Sequence, residues 1–504
     1  MLTIFIVMSI LFLTLTFGLG FIAFKRTKAT PQEYFSGGGT LGTIVLFGTM
    51  FATIQSAFAL LGLPQSGYID GFGMLLGLPF GCAFLGIAIA FLGPRVWKAA
   101  REFNFITVSD FLSHRFNSNT VGILYWISAL IFLAPFIGLQ IIGGGVTIQI
   151  ATGGAVTYIQ AMWIMLAIIV LYTLFGGLRA VAWNDTIQAF LMISAVVVTL
   201  ILLIRTIGAS SIESKLAALD SLDLLTMPGP NGVWTFKYAI SYGLLCTVGG
   251  LMWPQGFTRF YMSKDVRAFK AQAVWFPIAC ILLLYSAVTI GVLSVTVLSH
   301  IENTDQVLPI LAMQLFNPFV AAFILIGVIS ALMSTSSSQL LAVSAIFTRD
   351  IYKKYINPNA TQANQTLVGR IAVVTFALIA GVIAMNPPSL VVWIGTFSIQ
   401  GILALLPVIF CGLFWKGITK AGAIAGSFVG LFVMVGLLAE VLPSSWTFGF
   451  MPWFSSNIMA LIVIIVVSKF TTPLSNDLVH SYFSLWQRKE SMRPTVHEPS
   501  VGQI

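Results

Sequence analysis

Charge is what this chain has least of. Only 8% of its 504 residues are Asp, Glu, Lys or Arg, against about 25% in a soluble domain. No hydrophilic block is long enough to fold by itself, and the polar tail at 471–504 is too short and mixed for a catalytic domain. Histidine is as scarce. His114, His300, His480 and His497 fall in loops or the tail, so an intramembrane metal site or histidine proton relay has no donors. The four cysteines, Cys82, Cys246, Cys280 and Cys411, form no CxxC pair and lie in apolar runs, which points to packing and away from a disulfide framework. All 16 acids are expected at span ends, in loops or in the tail, with Asp185 the most nearly embedded. Without a buried carboxylate pair a proton pump has little to work with. No Lys or Arg is expected at mid-membrane. The glycine runs Gly37–Gly39 and Gly143–Gly145 follow no strand, so a nucleotide fingerprint is not credible, and no nucleophile–base pair is visible for an enzyme.

What is abundant is apolar sequence, 58% of the chain. Runs long enough to cross a bilayer occur near 2–24, 41–64, 72–93, 121–149, 157–176, 182–205, 236–257, 273–299, 308–346, 367–385, 389–413, 421–442 and 452–468. This predicts an all-α integral membrane protein with thirteen transmembrane helices. The first run is not a cleaved signal peptide, because Lys25, Arg26 and Lys28 follow it and no basic segment precedes it. With the N-terminus outside, all of the 25 Lys and Arg except Arg205, Lys215 and Lys237 fall on the inner side. That agrees with the positive-inside rule and puts the C-terminal tail in the cytoplasm. The net charge of +9 then needs no nucleic-acid partner, since basic loops lie against anionic lipid headgroups.

Three spans break the rules of a lipid-filled helix. The second carries Thr49, Thr53, Gln55 and Ser56, then Gly62 and Pro64. The seventh carries Thr247, Gly249, Gly250, Trp253, Pro254, Gln255 and Gly256. The ninth carries Ser330, Ser334, Thr335, Ser336, Ser337, Ser338 and Gln339. Gly, Pro and polar residues at mid-membrane predict discontinuous helices, whose freed backbone groups can bind solute and ion. Small-residue packing is the alternative for any one of them. Spans two and seven open two successive five-helix units, the spacing an inverted repeat requires. On a helix Ala331, Ser334, Thr335 and Ser338 share one face, which either lets helices approach closely or offers hard oxygen ligands to a small cation.

Several motifs in order carry a resemblance. They are Glu33–Gly42 (EYFSGGGTLG), Leu60–Tyr68 (LLGLPQSGY), Gly176–Met192 (GGLRAVAWNDTIQAFLM), Trp253–Lys270 (WPQGFTRFYMSKDVRAFK), Gly327–Lys354 and Cys411–Gly426 (CGLFWKGITKAGAIAG). With them the chain resembles the sodium:solute symporter family, which includes proline, pantothenate and sodium–glucose transporters. The resemblance implies the leucine-transporter-type five-plus-five inverted repeat. The expected layout is an extra N-terminal helix and loop (1–30), a ten-helix core (31–420), two added helices (421–470) and a cytoplasmic tail (471–504). It implies a sodium site made by the carbonyls of Ala52, Gln55 and Ala331 with the hydroxyls of Ser334 and Thr335, and it places Asp185 along the inward sodium path. Ser336, Ser337 and Ser338 are then expected to serve packing, and no metal beyond sodium is expected. Proline symporters carry an acid where this chain has Ile54, and a Trp and a Tyr where it has Cys246 and Gly250, so a different and larger solute than proline is expected.

Polar or aromatic side chains near the midplane give the solute-binding candidates: Gln55, Ser56, Phe58, Gln140, Gly250, Trp253 and Gln400. Each polar one can equally be an interhelical hydrogen bond. An anionic solute would be held by half-helix N-termini and by sodium itself. The expected function is sodium-coupled import of a small organic acid or amino-acid-like solute across the cell membrane by alternating access, by a monomer or weak homo-oligomer. The competing reading is a transporter-like sensor or channel without coupled uptake.

Overall fold

The computed structural model describes residues 1–26, 30–298, 301–386 and 391–487. His300 and the tail beyond residue 487, including His497, lie outside the described residues. The described chain is helical with no strand; its one β-bridge pairs Leu41 with Ser263. In chain order the main helices, two short ones at Pro31–Ser36 and Ile212–Ala218 apart, are α1 (Leu2–Arg26), α2 (Thr43–Ile54), α3 (Leu63–Asp70, entered through a π turn at Phe58–Gly62), α4 (Leu78–Phe103), α5 (Val108–Arg115), α6 (Asn119–Ala151), α7 (Tyr158–Ile207), α8 (Phe236–Met252), α9 (Pro254–Met262), α10 (Arg267–Cys280), α11 (Ser286–Ser294), α12 (Val307–Leu315), α13 (Pro318–Ile346), α14 (Gln362–Met385), α15 (Val391–Leu403), α16 (Leu406–Phe414), α17 (Lys420–Leu438), α18 (Pro452–Lys469) and α19 (Asn476–Gln487).

Among the described residues nine helices are long and apolar enough to cross a membrane, or eleven if each of two bent pairs counts as one span. The fifth and sixth predicted spans meet at Gly177, where the backbone is not helical, so the stretch labelled α7 is two helices joined there, the second of them (Gly176–Ile207) long and apolar enough to span a membrane by itself. There φ is +57°, which only glycine adopts without strain. Large apolar side chains such as Ile10, Leu11, Ile87, Phe91 and Val382 remain exposed on the outer faces, as a lipid-facing surface requires.

Two of the three predicted discontinuities are present. Span two stops at Ile54, Gln55 is extended (φ −79°, ψ 119°), and the chain resumes at a 63° angle. Span seven stops at Met252, and Trp253 is extended (φ −66°, ψ 144°). The cause is the Trp253–Pro254 pair: a residue before proline is driven out of the α region, and proline starts α9. The third prediction fails, because α13 runs unbroken through the whole polar cluster. Its hydroxyls are absorbed locally. Ser330 donates to the Ile326 carbonyl at 2.8 Å and Ser336 to the Leu332 carbonyl at 2.6 Å, bonds that a helix tolerates. A break not foreseen separates α15 from α16, bent by 41° just before Pro407.

α13 is the central post. From Ile324 to Ile346 every residue is buried, and it packs along α7, α6, α14 and α2, with α1 against both α7 and α13. Near the C-terminus α19 lies against α4, and its Tyr482 hydroxyl meets His114 Nδ1 of α5 at 2.8 Å. α3 and α11 touch backbone to backbone. A Cβ on Gly67 would lie 2.3 Å from the Val288 carbonyl oxygen, and one on Gly291 would lie 2.1 Å from that of Pro64. Neither helix backbone can yield as a side chain can. Gly291→Ala is therefore expected to destabilise the protein by about 1–3 kcal/mol, read as a lower unfolding temperature in detergent. Gly18→Ala, where nothing lies within 4 Å of the added methyl, is the control expected to leave that temperature unchanged.

Candidate functional site

The break in span two lies against the middle of α13, and five oxygens converge there. Ser334 Oγ donates to the carbonyls of Ala52 and Ala331, both at 3.0 Å. Thr335 Oγ1 donates to the carbonyl of Gln55 at 2.8 Å and approaches those of Ala52 and Thr53 at 3.4 and 3.5 Å. The Ala52 and Gln55 carbonyls are available because the helix has ended and no amide follows in register. All five predicted residues, Ala52, Gln55, Ala331, Ser334 and Thr335, are thus brought together and buried. Three carbonyls and two hydroxyls are neutral, hard donors of the kind sodium accepts.

One turn further along α13 lies a network foreseen only in part. Asp185 on α7 and Arg259 on α9 are both 0% exposed, and Arg259 Nη2 is 3.4 Å from Asp185 Oδ2. Thr49 Oγ1 donates to the same carboxylate oxygen at 2.7 Å, and Thr53 Oγ1 approaches it at 3.4 Å. The guanidinium donates to Thr49 Oγ1 and Thr53 Oγ1, each at 2.9 Å, and to Ser338 Oγ. Four helices, α2, α7, α9 and α13, meet in this cluster. It corrects two expectations. A charged guanidinium does lie inside the bundle, and Ser338 is a polar partner of Arg259 and Thr53 (3.1 Å) rather than a packing residue. Ser337 likewise accepts from the Tyr172 hydroxyl.

Between the two helix breaks lies a cavity holding about 590 Å³ of empty space, its open side included. Of the solute-binding candidates, Gln55, Ser56, Phe58, Gly250 and Trp253 line it. Gln140 and Gln400 do not. Gln140 Oε1 accepts the Ala57 amide at 2.8 Å, capping the chain where it restarts, and Gln400 Oε1 accepts the Trp453 amide of α18 at 3.2 Å. Both are spent on holding backbone, the interhelical role that each polar residue carried as its alternative. Cys246 of α8, set by the resemblance where proline symporters carry an aromatic, lines it too, and Thr53, Ile54, Ala59, Phe136 of α6, Ile399 of α15, Leu78 and Cys82 of α4, and Gln255 of α9 complete a wall that was not foreseen. Apolar residues carry no sequence mark of a cavity wall; Thr53 and Gln255, polar residues in the two broken spans, had a signal to read. Ile54 packs against Gly250, its Cδ1 3.4 Å from where a Cβ would stand.

Broken helices that frame a cavity, with an oxygen cluster at one break, are the make-up of an ion-coupled secondary transporter. The sodium:solute symporter family profile matches residues 34–430. The Haemophilus influenzae sodium/pantothenate symporter is 32% identical over 434 residues, covering 84% of this chain and 88% of the relative. The sodium/proline symporter of the same organism is 32% identical over 481 residues, covering 89% and 92%. Among solved structures, a Na⁺-coupled sialic acid symporter in a substrate-bound outward-open state superposes with a TM-score of 0.77 at 17% identity, over 94% of this chain and 99% of that one. A nucleobase-cation-symport-1 family transporter in a closed conformation gives 0.56 at 13% identity, over 89% and 98%. The chain belongs to the sodium:solute symporter family. It is a sodium-coupled symporter, with sodium the coupling ion and a small solute the cargo.

The buried ion pair makes a stability prediction. Asp185→Asn leaves the Arg259 charge without its partner and is expected to cost about 3–5 kcal/mol. Pairing it with Arg259→Gln removes the stranded charge and should restore part of the loss. Thermal unfolding of the two single variants and the double variant checks this. Additive losses in the double variant would mean that the pair is not coupled.

Proposed function

We propose that this symporter imports a small organic acid or amino-acid-like solute with sodium bound by the carbonyls of Ala52, Gln55 and Ala331 and the hydroxyls of Ser334 and Thr335. The observation that carries the proposal is the convergence of these five oxygens at the junction of a broken helix and α13. The hydroxyls now donate to the carbonyls; beside a cation they would turn their lone pairs to it. The named substrates of the relatives, pantothenate and proline, support the solute class. The small side chain of Cys246 on the cavity wall supports a body larger than proline, whereas the space beside Gly250 is taken by Ile54.

In the same reading the chain has thirteen spans, with α8 and α9 forming one broken span, and residues 31–420 form a five-plus-five inverted-repeat core. Residues 1–30 add one helix, residues 421–470 add two, and the tail from 471 is cytoplasmic while the N-terminus is outside. The protein acts as a monomer or weak homo-oligomer in the cell membrane. Gln55 links the two sites, because its carbonyl accepts from Thr335 while its side chain borders the cavity. Sodium at the oxygens would fix the peptide from which that amide projects, so ion binding would preorganise the solute site. On opening to the inside, sodium would leave past Asp185, where Thr53 and Ser338 already connect the oxygen cluster to the carboxylate.

The test is uptake into proteoliposomes with and without an inward sodium gradient. Accumulation is expected only with the gradient. Ser334→Ala combined with Thr335→Ala removes two of five ligands and should raise the sodium concentration for half-maximal uptake at least about tenfold, the equivalent of roughly 1.4 kcal/mol. An unchanged sodium requirement would refute the assigned ligands.

A further inference from the structure

Spacing along the sequence assigns the four cysteines to packing, yet three of them meet in the fold. Cys82 lies on α4, Cys246 on α8 and Cys280 on α10, and each is a free, buried thiol. The thiols of Cys246 and Cys82 are hydrogen-bonded to one another. Cys280 Sγ donates instead to the Cys82 carbonyl at 3.3 Å. The fourth, Cys411, is on α16.

The two helices that carry the bonded pair touch main chain to main chain beside the sulfurs. A Cβ on Gly81 would lie 2.0 Å from the Gly243 carbonyl oxygen. Thr247, next to Cys246, donates from Oγ1 to the carbonyl of Gly81, next to Cys82, at 3.0 Å. An S–S bond needs Cα atoms about 5.5 Å apart, and helices in backbone contact reach that separation without being drawn together.

Both sulfurs also border the cavity, and Cys280 does not. A reagent small enough to enter the cavity therefore reaches this pair. The wall limits what can form there. Its described lining includes no Asp, Glu, His, Lys or Arg, so a charged product would have no counterion and a high desolvation cost. A soft monovalent cation between two thiolates would leave a net negative charge. Zinc takes about four donors where it is structural, and the pair supplies only its two sulfurs. A disulfide is neutral and needs nothing else.

We propose that Cys82 and Cys246 are a redox-active dithiol, oxidised by a small peroxide from the cavity to a disulfide that staples α4 to α8. One thiol gives up its proton and attacks a peroxide oxygen. The O–O bond breaks, an S–OH group forms, and the departing oxygen leaves as water with that proton. The second thiol attacks the sulfur of the S–OH, the S–S bond forms, and a second water leaves with the second thiol's proton. The two sulfurs lose two electrons and the peroxide gains them. The staple fixes the arm of the broken span that precedes Trp253 and removes both S–H groups from the cavity wall.

The experiment counts thiols on the purified full chain. Folded protein is treated with hydrogen peroxide, denatured and alkylated with N-ethylmaleimide, and its mass is read. The untreated chain, with four cysteines, takes up one maleimide at each. The treated chain is expected to lose two of these labels and to regain both after dithiothreitol. Digestion with the bridge intact should yield a peptide pair that joins Cys82 to Cys246. Cys280→Ser should form the same pair at an unchanged rate, and Cys246→Ser should lose it. Oxidised glutathione, bulky and charged, should close the bridge at least about tenfold more slowly than peroxide at equal concentration, because access to the sulfurs sets the rate. Full labelling after peroxide, a bridge through Cys280 or Cys411, or a loss of labelling that dithiothreitol does not reverse overturns the proposal. Equal rates with oxidised glutathione would overturn the cavity as the route of entry.

Discussion

The Arg259–Asp185 ion pair is the constraint around which the centre of this protein is arranged. Two full charges in a membrane-embedded core can persist only if each has a partner and the remaining hydrogen-bonding capacity is met. The partners come from four helices. Thr49 and Thr53 are supplied by α2, Asp185 by α7, Arg259 by α9 and Ser338 by α13. Meeting that demand fixes the angular position of all four. Thr53 is two residues from the break at Gln55, and Ser338 is one turn from Ser334 and Thr335, so the same constraint sets how the oxygen cluster closes. Gln255, whose side chain borders the cavity, is one turn before Arg259 and its carbonyl faces Arg259 Nη1 at 3.5 Å. Cavity, oxygen cluster and ion pair are therefore three faces of one junction, and a movement of α9 is felt by all three.

The breaks in α2–α3 and α8–α9 have different local causes and the same result. At Trp253 proline chemistry ends the helix. At Gln55 no proline intervenes within the next eight residues; the extended backbone is held from outside, by Thr335 on the Gln55 carbonyl and by Gln140 on the Ala57 amide. Each break frees polar backbone that lipid would not tolerate, and each is enclosed by protein. Gln140 is best understood in these terms, as the group that satisfies the restart of the chain.

Much of this was legible in the sequence, for identifiable reasons. Spans and breaks declare themselves through hydropathy, glycine and proline, and Ala331, Ser334 and Thr335 declare themselves through helical spacing. Arg259 did not, because Lys264, Arg267 and Lys270 follow it closely and make the stretch read as a basic loop. Its partner Asp185 is 74 residues away in the chain, and nothing local signals the pairing. The continuity of α13 was misread because hydroxyls that bond back to their own helix look, in sequence, the same as hydroxyls that interrupt one. Gln140 and Gln400 were ambiguous between solute and backbone, and a glutamine within reach of an unpaired amide serves the backbone. Phe136 and Ile399 could be found only once the helices were placed.

Three of the five oxygens at the α13 junction belong to the main chain. A peptide carbonyl cannot be altered by changing the side chain attached to it, so mutation has few direct routes to this cluster: the two hydroxyls and whatever shifts the backbone. The cavity is the reverse, walled almost entirely by side chains. Sequence drift can therefore remodel the wall at Cys82, Cys246, Phe136 or Ile399 and leave the carbonyls where they are. If the cluster holds the sodium and the cavity the solute, as proposed, a scaffold divided in this way is well suited to diversify in what it carries while keeping what drives it.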